Sequence, residues 1–315
     1  MILFTILIVI VVIAFLLNEY YFYIVLSSTQ EIQILKGKKR RKKYDWIAFG
    51  SSYCRYGLSS SEDGVGFNFG VAAQFLYYSD KMLREYAVSC LKNKGTVFLI
   101  IADLVFAEVG RGLYGADRYQ LLLSKESLGG EYSIITKLKL RFPLFSNPMR
   151  LKTILRYIIK GDTNNYSTLS YNSLNEEKAL AAAKQRCKDW CDQFGLTDTY
   201  STEITMELEE KFSKSRDILT GMIQFCYDHD YKPVLVVTPV SGIMNSQLGD
   251  AFIKKVLFDN IVKANLQGAP LLDYLKDERF QDISLYHNNA DFLNAKGRKI
   301  FTEVLLHDAN KLEIQ

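Results

Sequence analysis

Apolar and polar positions divide the chain into an apolar opening and a longer stretch of short apolar runs alternating with helix-spaced patterns. Met1 to Leu17 carry no charge and no Pro, Asn18 and Glu19 interrupt, and Tyr20 to Leu26 resume. Further on, the apolar run Trp46 to Phe49 predicts a first strand over 45–49. Asn68-Phe69-Gly70 follows, and then Phe75, Tyr78, Met82, Tyr86 and Cys90 recur at helical spacing across 71–93, with Gly95 as terminator. Thr96 to Ala102 reads as a central strand, apolar on both faces.

Residues 104–172 are irregular, rich in Tyr, Leu and basic residues, and contain Pro143 and Pro148, which predicts an insertion or lid with short helices. Ser173 stands three residues before Glu176, a capping-box spacing that opens a helix over 174–194, closed by Gly195. A second long helix is predicted over 202–229, with Leu208, Phe212, Leu219, Met222 and Phe225 on its core face. Strands follow at 233–237 and 270–274, and a last helix from Asn294 carries Ile300, Phe301, Val304 and Leu305. Strands alternating with helices predict an α/β fold, a three-layer parallel sheet with helices on both faces.

Composition agrees with a large core. Of 315 residues 48% are hydrophobic, with 20 Tyr and 19 Phe, and 5 Pro with no low-complexity tract exclude a disordered chain. No internal repeat is visible.

A bilayer-spanning helix needs about 20 residues and at least about 17. The opening run meets this length, and Tyr20, Tyr21 and Tyr23 suit an interfacial aromatic belt. A buried core helix is the other reading of such a run. A cleavable signal peptide fits less well, because no basic residue precedes the run and no small-x-small pattern follows it. The organisation is then a transmembrane helix at 1–27, a basic juxtamembrane linker at 28–44, and an α/β domain at 45–315 carrying the insertion.

The charge of +4 is local. Lys36 to Lys43 holds seven basic residues, and from Tyr44 onward 32 basic residues face 33 acidic ones. A cluster beside a span is attracted to anionic lipid at roughly 1 kcal/mol per residue. No basic pattern continues into the domain, which argues against nucleic acid as a partner and leaves the lipid bilayer. The positive-inside rule puts the basic flank in the cytoplasm. Five cysteines, an odd number, also fit a reducing compartment better than a disulfide framework. Cys187 and Cys191 share a helix face, but two ligands do not make a zinc site, and all five read as small core residues. No metal cluster, phosphate-cradling loop or nucleotide fingerprint is present, so no cofactor is expected.

Candidate chemistry begins at Gly50-Ser51-Ser52, where the first strand ends. A serine there sits at the sheet edge where open α/β sheets bind ligands, with backbone N–H groups available to an oxyanion. The plainer reading is a strand-to-helix turn with a capping serine.

Three stretches line up in order: Gly50-Ser51-Ser52 at a strand end, Asn68-Phe69-Gly70 before a helix, and Asp291-Phe292-Leu293-Asn294-Ala295-Lys296-Gly297-Arg298 before the last helix. Together they resemble the SGNH/GDSL hydrolase superfamily, in particular its membrane-anchored bacterial branch acting on cell-envelope polymers. The resemblance runs from about Asp45 to the C-terminus and leaves the insertion unmatched. It implies a flavodoxin-like sheet, Ser52 as nucleophile, and Gly70 with Asn68 at the oxyanion and binding positions. Asp103 stands where the family brings an asparagine. Counting back from Gly297, Phe292 stands at the histidine place and Asn289 at the aspartate place, so both acid–base positions are altered. His229 precedes a strand's N-terminal end, at the wrong edge, and His307 lies well inside the last helix. His287 is the candidate substitute base, with Asp291 or Asp273 as its partner.

Two functions follow from the resemblance. One is a serine esterase or O-acyltransferase acting on an envelope glycan or polymer. The other is a catalytically inactive membrane-anchored protein that binds such a polymer or helps assemble a synthesis complex. The resemblance also implies an extracytoplasmic domain on a single-pass anchor, against the positive-inside rule.

Overall fold

In the computed structural model the described residues are 1–27, 29–39, 42–60, 64–102, 104–108, 115–160, 175–287 and 290–312. In chain order the elements are α1 (Ile2–Tyr20), α2 (Gln30–Lys38), β1 (Tyr44–Phe49), α3 (Ser52–Gly57), β2 (Gly66–Asn68), α4 (Leu76–Cys90), β3 (Leu91–Ile101), α5 (Ile134–Arg141), α6 (Leu151–Lys160), α7 (Glu176–Phe194), α8 (Met206–Asp228), β4 (Lys232–Val237), α9 (Asp259–Ala264), β5 (Leu271–Asp273) and α10 (Ala295–Leu312). The chain divides into two units, one of residues 1–40 with 114–168, the other of residues 41–113 with 169–315.

The larger unit is built on continuous apolar runs. Ile47, Ala48 and Phe49 of β1, Val97 to Ile101 of β3 and Val234 to Val237 of β4 are all buried. Strands apolar on both faces belong to a parallel sheet covered by helices. The sheet has five parallel strands in the order β2-β1-β3-β4-β5. Ala48 stands beside Phe98, Phe98 beside Val234, and Leu235 beside Leu271. Helix α4 packs on β1 and β3 and against α8, which covers β4 and meets α9. Helix α3 contacts β3 and α10. An aromatic cluster joins the layers: Phe49 stacks on Phe69 at 5.6 Å, and Phe69 meets Tyr86 of α4 at 4.9 Å.

The predicted strands at 45–49, 96–102, 233–237 and 270–274 are present, and β3 begins earlier, at Leu91. Helix α7 has Asn175 as its N-cap, accepting from Glu177 N, and Gly195 at its C-cap with φ 66°. Ser173 lies outside the described residues. Helix α8 starts at Met206, where the Thr205 hydroxyl accepts from Leu208 N. Helix α4 starts at Leu76, because Val71 to Phe75 is spent on a loop in which Gln74 donates to Ser79 Oγ at 2.8 Å.

In the smaller unit the apolar stretch Ile2–Val25 is one continuous helical segment of mean hydropathy 2.8, long and apolar enough to cross a membrane. Its last five residues form a π-helical turn. The stretch expected as a basic linker contains α2, which buries Ile32 and Ile34 and pairs Glu31 with Arg118 at 2.8 Å. The insertion supplies Leu144 and Ile154, which form a small core with Tyr21 and Val25.

At the end of β1, Gly50 has φ +154°, and a Cβ there would lie 2.9 Å from both Cβ and O of Ile100. No other residue fits without moving β3. Gly50→Ala is expected to lower stability by about 1–3 kcal/mol, read as a lower denaturation midpoint.

Candidate active site at the edge of β1 and β3

The strand order places β2 on one side of β1 and β3 to β5 on the other. Successive connections therefore leave toward opposite edges of the sheet. In such sheets a crevice opens outside the C-terminal strand ends at the point of reversal. Here that point is β1/β3. A cleft of about 200 Å³ is lined there by Ser51 and Ser52 after β1, Ala73 and Phe75 after β2, and Ala102, Leu104, Val105 and Glu108 after β3. Arg186, Trp190 and Gln193 of α7 form the opposite wall with Phe292. The turn after β1 and the loop before the last helix thus meet at one cleft, as the order of motifs predicted. Ser59 N donates to Thr302 Oγ1 at 2.9 Å, which ties the end of α3 to α10.

Ser52 opens α3, and its Oγ accepts the Ala73 N–H at 3.1 Å. Asn68 is buried and fully engaged. Its Nδ2 donates to the carbonyls of Cys54 and Leu58, both at 2.7 Å, and its Oδ1 accepts from Gly70 N at 2.8 Å. A Cβ on Gly70 would meet Cys54 Cβ and Sγ at 2.6 Å, so close approach to α3 requires glycine there. Asn68 and Gly70 therefore staple the end of β2 to α3. The Gly70 N–H assigned to an oxyanion by the resemblance is spent on Asn68, and the backbone donor at Ser52 is Ala73.

The acid–base positions have a different arrangement. Asn289 and Asp103 lie outside the described residues. Phe292 lines the cleft, with its ring 5.0 Å from Tyr53 edge-on and 5.3 Å from Tyr56. His287 is not among the lining residues. Its backbone N–H donates to Phe292 O at 2.8 Å, and its carbonyl accepts from Ala290 N at 3.0 Å. These bonds, with the antiparallel bridge between Tyr286 and Leu293, hold the loop as a closed hairpin. Moving His287 toward Ser52 would break them, at about 1 kcal/mol each. Burial lowers the pKa of His287 below the ordinary imidazole value. His229 caps α8, with Nδ1 2.9 Å from Phe225 O. Asp273 Oδ1 accepts from Leu275 N at 3.0 Å.

Asp291 does not partner His287. Its side chain is fully buried and meets Arg186 Nε at 3.2 Å, and its Oδ2 accepts the Tyr53 hydroxyl at 3.3 Å. The Arg186 guanidinium also lies over the rings of Trp190, at 5.1 Å, and Phe292, at 5.7 Å. One buried carboxylate thus joins α3, α7 and the hairpin behind the cleft. Arg186, Trp190, Gln193 and Glu108 were not singled out from the sequence. Arg186 and Trp190 are four apart on a helix face, which is the only signal they gave. Among the described residues no group of three metal-ligating side chains is present. Of the cysteines, Cys54, Cys90, Cys187 and Cys226 are buried and Cys191 is half-buried, all as free thiols.

Compared with known proteins, the chain matches no family model and no curated protein.

The ion pair is asymmetric. Arg186→Ala leaves a fully buried carboxylate without its cation, whereas Asp291→Asn leaves an arginine side chain that is 34% exposed and can reach water. Urea unfolding is expected to show a loss of about 3 kcal/mol for Arg186→Ala and a smaller one, about 1–2 kcal/mol, for Asp291→Asn.

Proposed function

We propose that the larger unit is a ligand-binding module of the SGNH-like, flavodoxin-like kind, anchored to the membrane, whose cleft holds a sugar unit of an envelope polymer without serine–histidine chemistry. One observation carries this reading: Phe292, packed between Tyr53, Tyr56 and Arg186, occupies the cleft wall where the family places its base. A serine hydroxyl without a base to take its proton is a weak nucleophile. Half-buried Phe292, backed by the buried Trp190, offers an apolar ring to the C–H side of a pyranose, and Gln193, Glu108 and Ser52 offer hydrogen bonds to its hydroxyls. Binding to an array of bacterial envelope glycans is expected for the wild type and is expected to fall at least tenfold, about 1.4 kcal/mol, in Phe292→Ala.

The second reading, a serine esterase or O-acyltransferase, is favoured by one feature. Ser52 Oγ stands in the cleft with a backbone N–H 3.1 Å away. A fluorophosphonate probe separates the two. Under the binding reading, wild type and Ser52→Ala label equally. Labelling of wild type alone would establish Ser52 as a nucleophile and overturn the binding reading.

The orientation implied by the resemblance is a large unit outside the cytoplasm. Cys191, the one half-buried cysteine among the described residues, makes this measurable. Its thiol pKa is raised by burial, so reaction is slow at neutral pH and faster at higher pH. A membrane-impermeant maleimide is expected to label intact cells at Cys191, with labelling lost in Cys191→Ser. Labelling only after lysis would place the unit inside.

A further inference from the structure

The smaller unit exposes more apolar surface than its transmembrane helix accounts for. Ile134, Ile135 and Leu138 on α5 and Leu155, Ile158 and Ile159 on α6 are all exposed, between 48% and 78%. Helix α6 is amphipathic in a particular way. It buries Ile154 against Tyr21 and Val25, turns its other aliphatic side chains outward, and interleaves them with Lys152, Arg156 and Lys160. Isolated apolar side chains on a surface need no explanation, but two neighbouring helices of one unit with this pattern do.

Depth along α1 indicates what covers them. The continuously lipid-accessible run of the apolar helix reaches Leu17, with Ile24 exposed again beyond it, and Ile2 to Leu17 rises about 24 Å. A hydrocarbon core is about 30 Å thick. A span starting at Ile2 therefore stays within the apolar layer to about Tyr21. The insertion grips α1 over this last part. Phe142 and Phe145 pack on Phe15 at 5.7 and 5.5 Å, and Tyr157 meets Tyr20 at 6.5 Å.

Polar groups in the same turns are satisfied by the insertion rather than by water. The fully buried Asn18 donates to Arg141 O at 3.3 Å and accepts from Leu144 N at 3.4 Å. Glu19 pairs with Arg141 at 2.7 Å. A carboxylate and an amide at the end of a membrane span are costly unless paired, and here their partners come from the segment around 141–144. Beside them an open, mostly apolar groove of about 640 Å³ is lined by Phe15, Leu138, Phe142 and Phe145 with Lys139 and Ser146.

We propose that the insertion is an interfacial membrane element: α5 and α6 lie in the headgroup layer around the end of α1, with their exposed aliphatic side chains in the acyl region and Lys152, Arg156 and Lys160 on anionic headgroups. The occupant is lipid because the segment that carries these faces is packed on the end of the apolar helix through Phe142, Phe145 and Tyr157, and because the charged side chains of α5 and α6 are all basic. The protein thereby rests on one leaflet over an area instead of hanging from a single helix.

The full-length chain, reconstituted in phosphatidylcholine–phosphatidylglycerol vesicles, tests this. Tryptophan is introduced by Ile158→Trp, by Ile135→Trp, and as a control by Val262→Trp in the larger unit, and the emission of the two native Trp is subtracted. Lipids brominated in mid-chain are expected to quench the added emission of Ile158→Trp and Ile135→Trp about twofold and to leave Val262→Trp unchanged. Reversing Lys152, Arg156 and Lys160 to Glu together is expected to reduce the quenching at position 158. Water-like, unquenched emission at both positions overturns the proposal. Blue-shifted but unquenched emission also overturns it, because protein, such as a second copy of this chain, then covers the face.

Discussion

Reversal of winding at β1 is the constraint on which the larger unit depends. With β2 on one side of that strand and β3 on the other, the chain cannot cover the C-terminal ends of β1 and β3 with a direct connection. A crevice is left by topology, before any side chain is chosen. Gly50 makes the exit from β1 possible at all, because it passes within contact of Ile100 in a backbone conformation that L side chains avoid. What varies is how the crevice is furnished. Here it holds a serine hydroxyl, a tryptophan, an arginine and a phenylalanine.

The furnishing depends on one sequestered carboxylate. Asp291 is out of contact with water and is held by Arg186 and Tyr53. Its negative charge sits under the aromatic wall and fixes a guanidinium between two rings. The side chain that the motif order offers as an imidazole's partner is thus employed as an anchor for a wall of the cleft. The arrangement sets polar groups against aromatic rings at the cleft wall.

Much of this was legible along the chain. β1, β3 and β4 could be read because strands buried on both faces are uninterrupted apolar runs. The three-residue β2 could not, since Gly66 to Asn68 is too short to show a period. Helix α2 was hidden by its basic residues and by Ile32 and Ile34, whose spacing of two is not helical. The meeting of Ser52 and Phe292 was foreseeable from the order of motifs around a parallel sheet. The pairing of Asp291 with Arg186 was not, because it joins residues more than a hundred positions apart and depends on how α7 lies across the cleft. The commitment of Gly70 N–H to Asn68 is likewise a matter of atomic contact that spacing does not encode.

The smaller unit is discontinuous: Asn18 and the backbone that satisfies it are separated by 123 positions. A chain emerging from the ribosome presents its first forty residues long before Arg141 and Leu144 exist. During that interval the amide of Asn18 and the carboxylate of Glu19 lack the partners they have in the folded unit. Closing so long a loop carries an entropic cost that grows only slowly with length. The larger unit's first strands, β1 to β3, are made inside that same interval, so the two units are synthesised in alternation rather than one after the other.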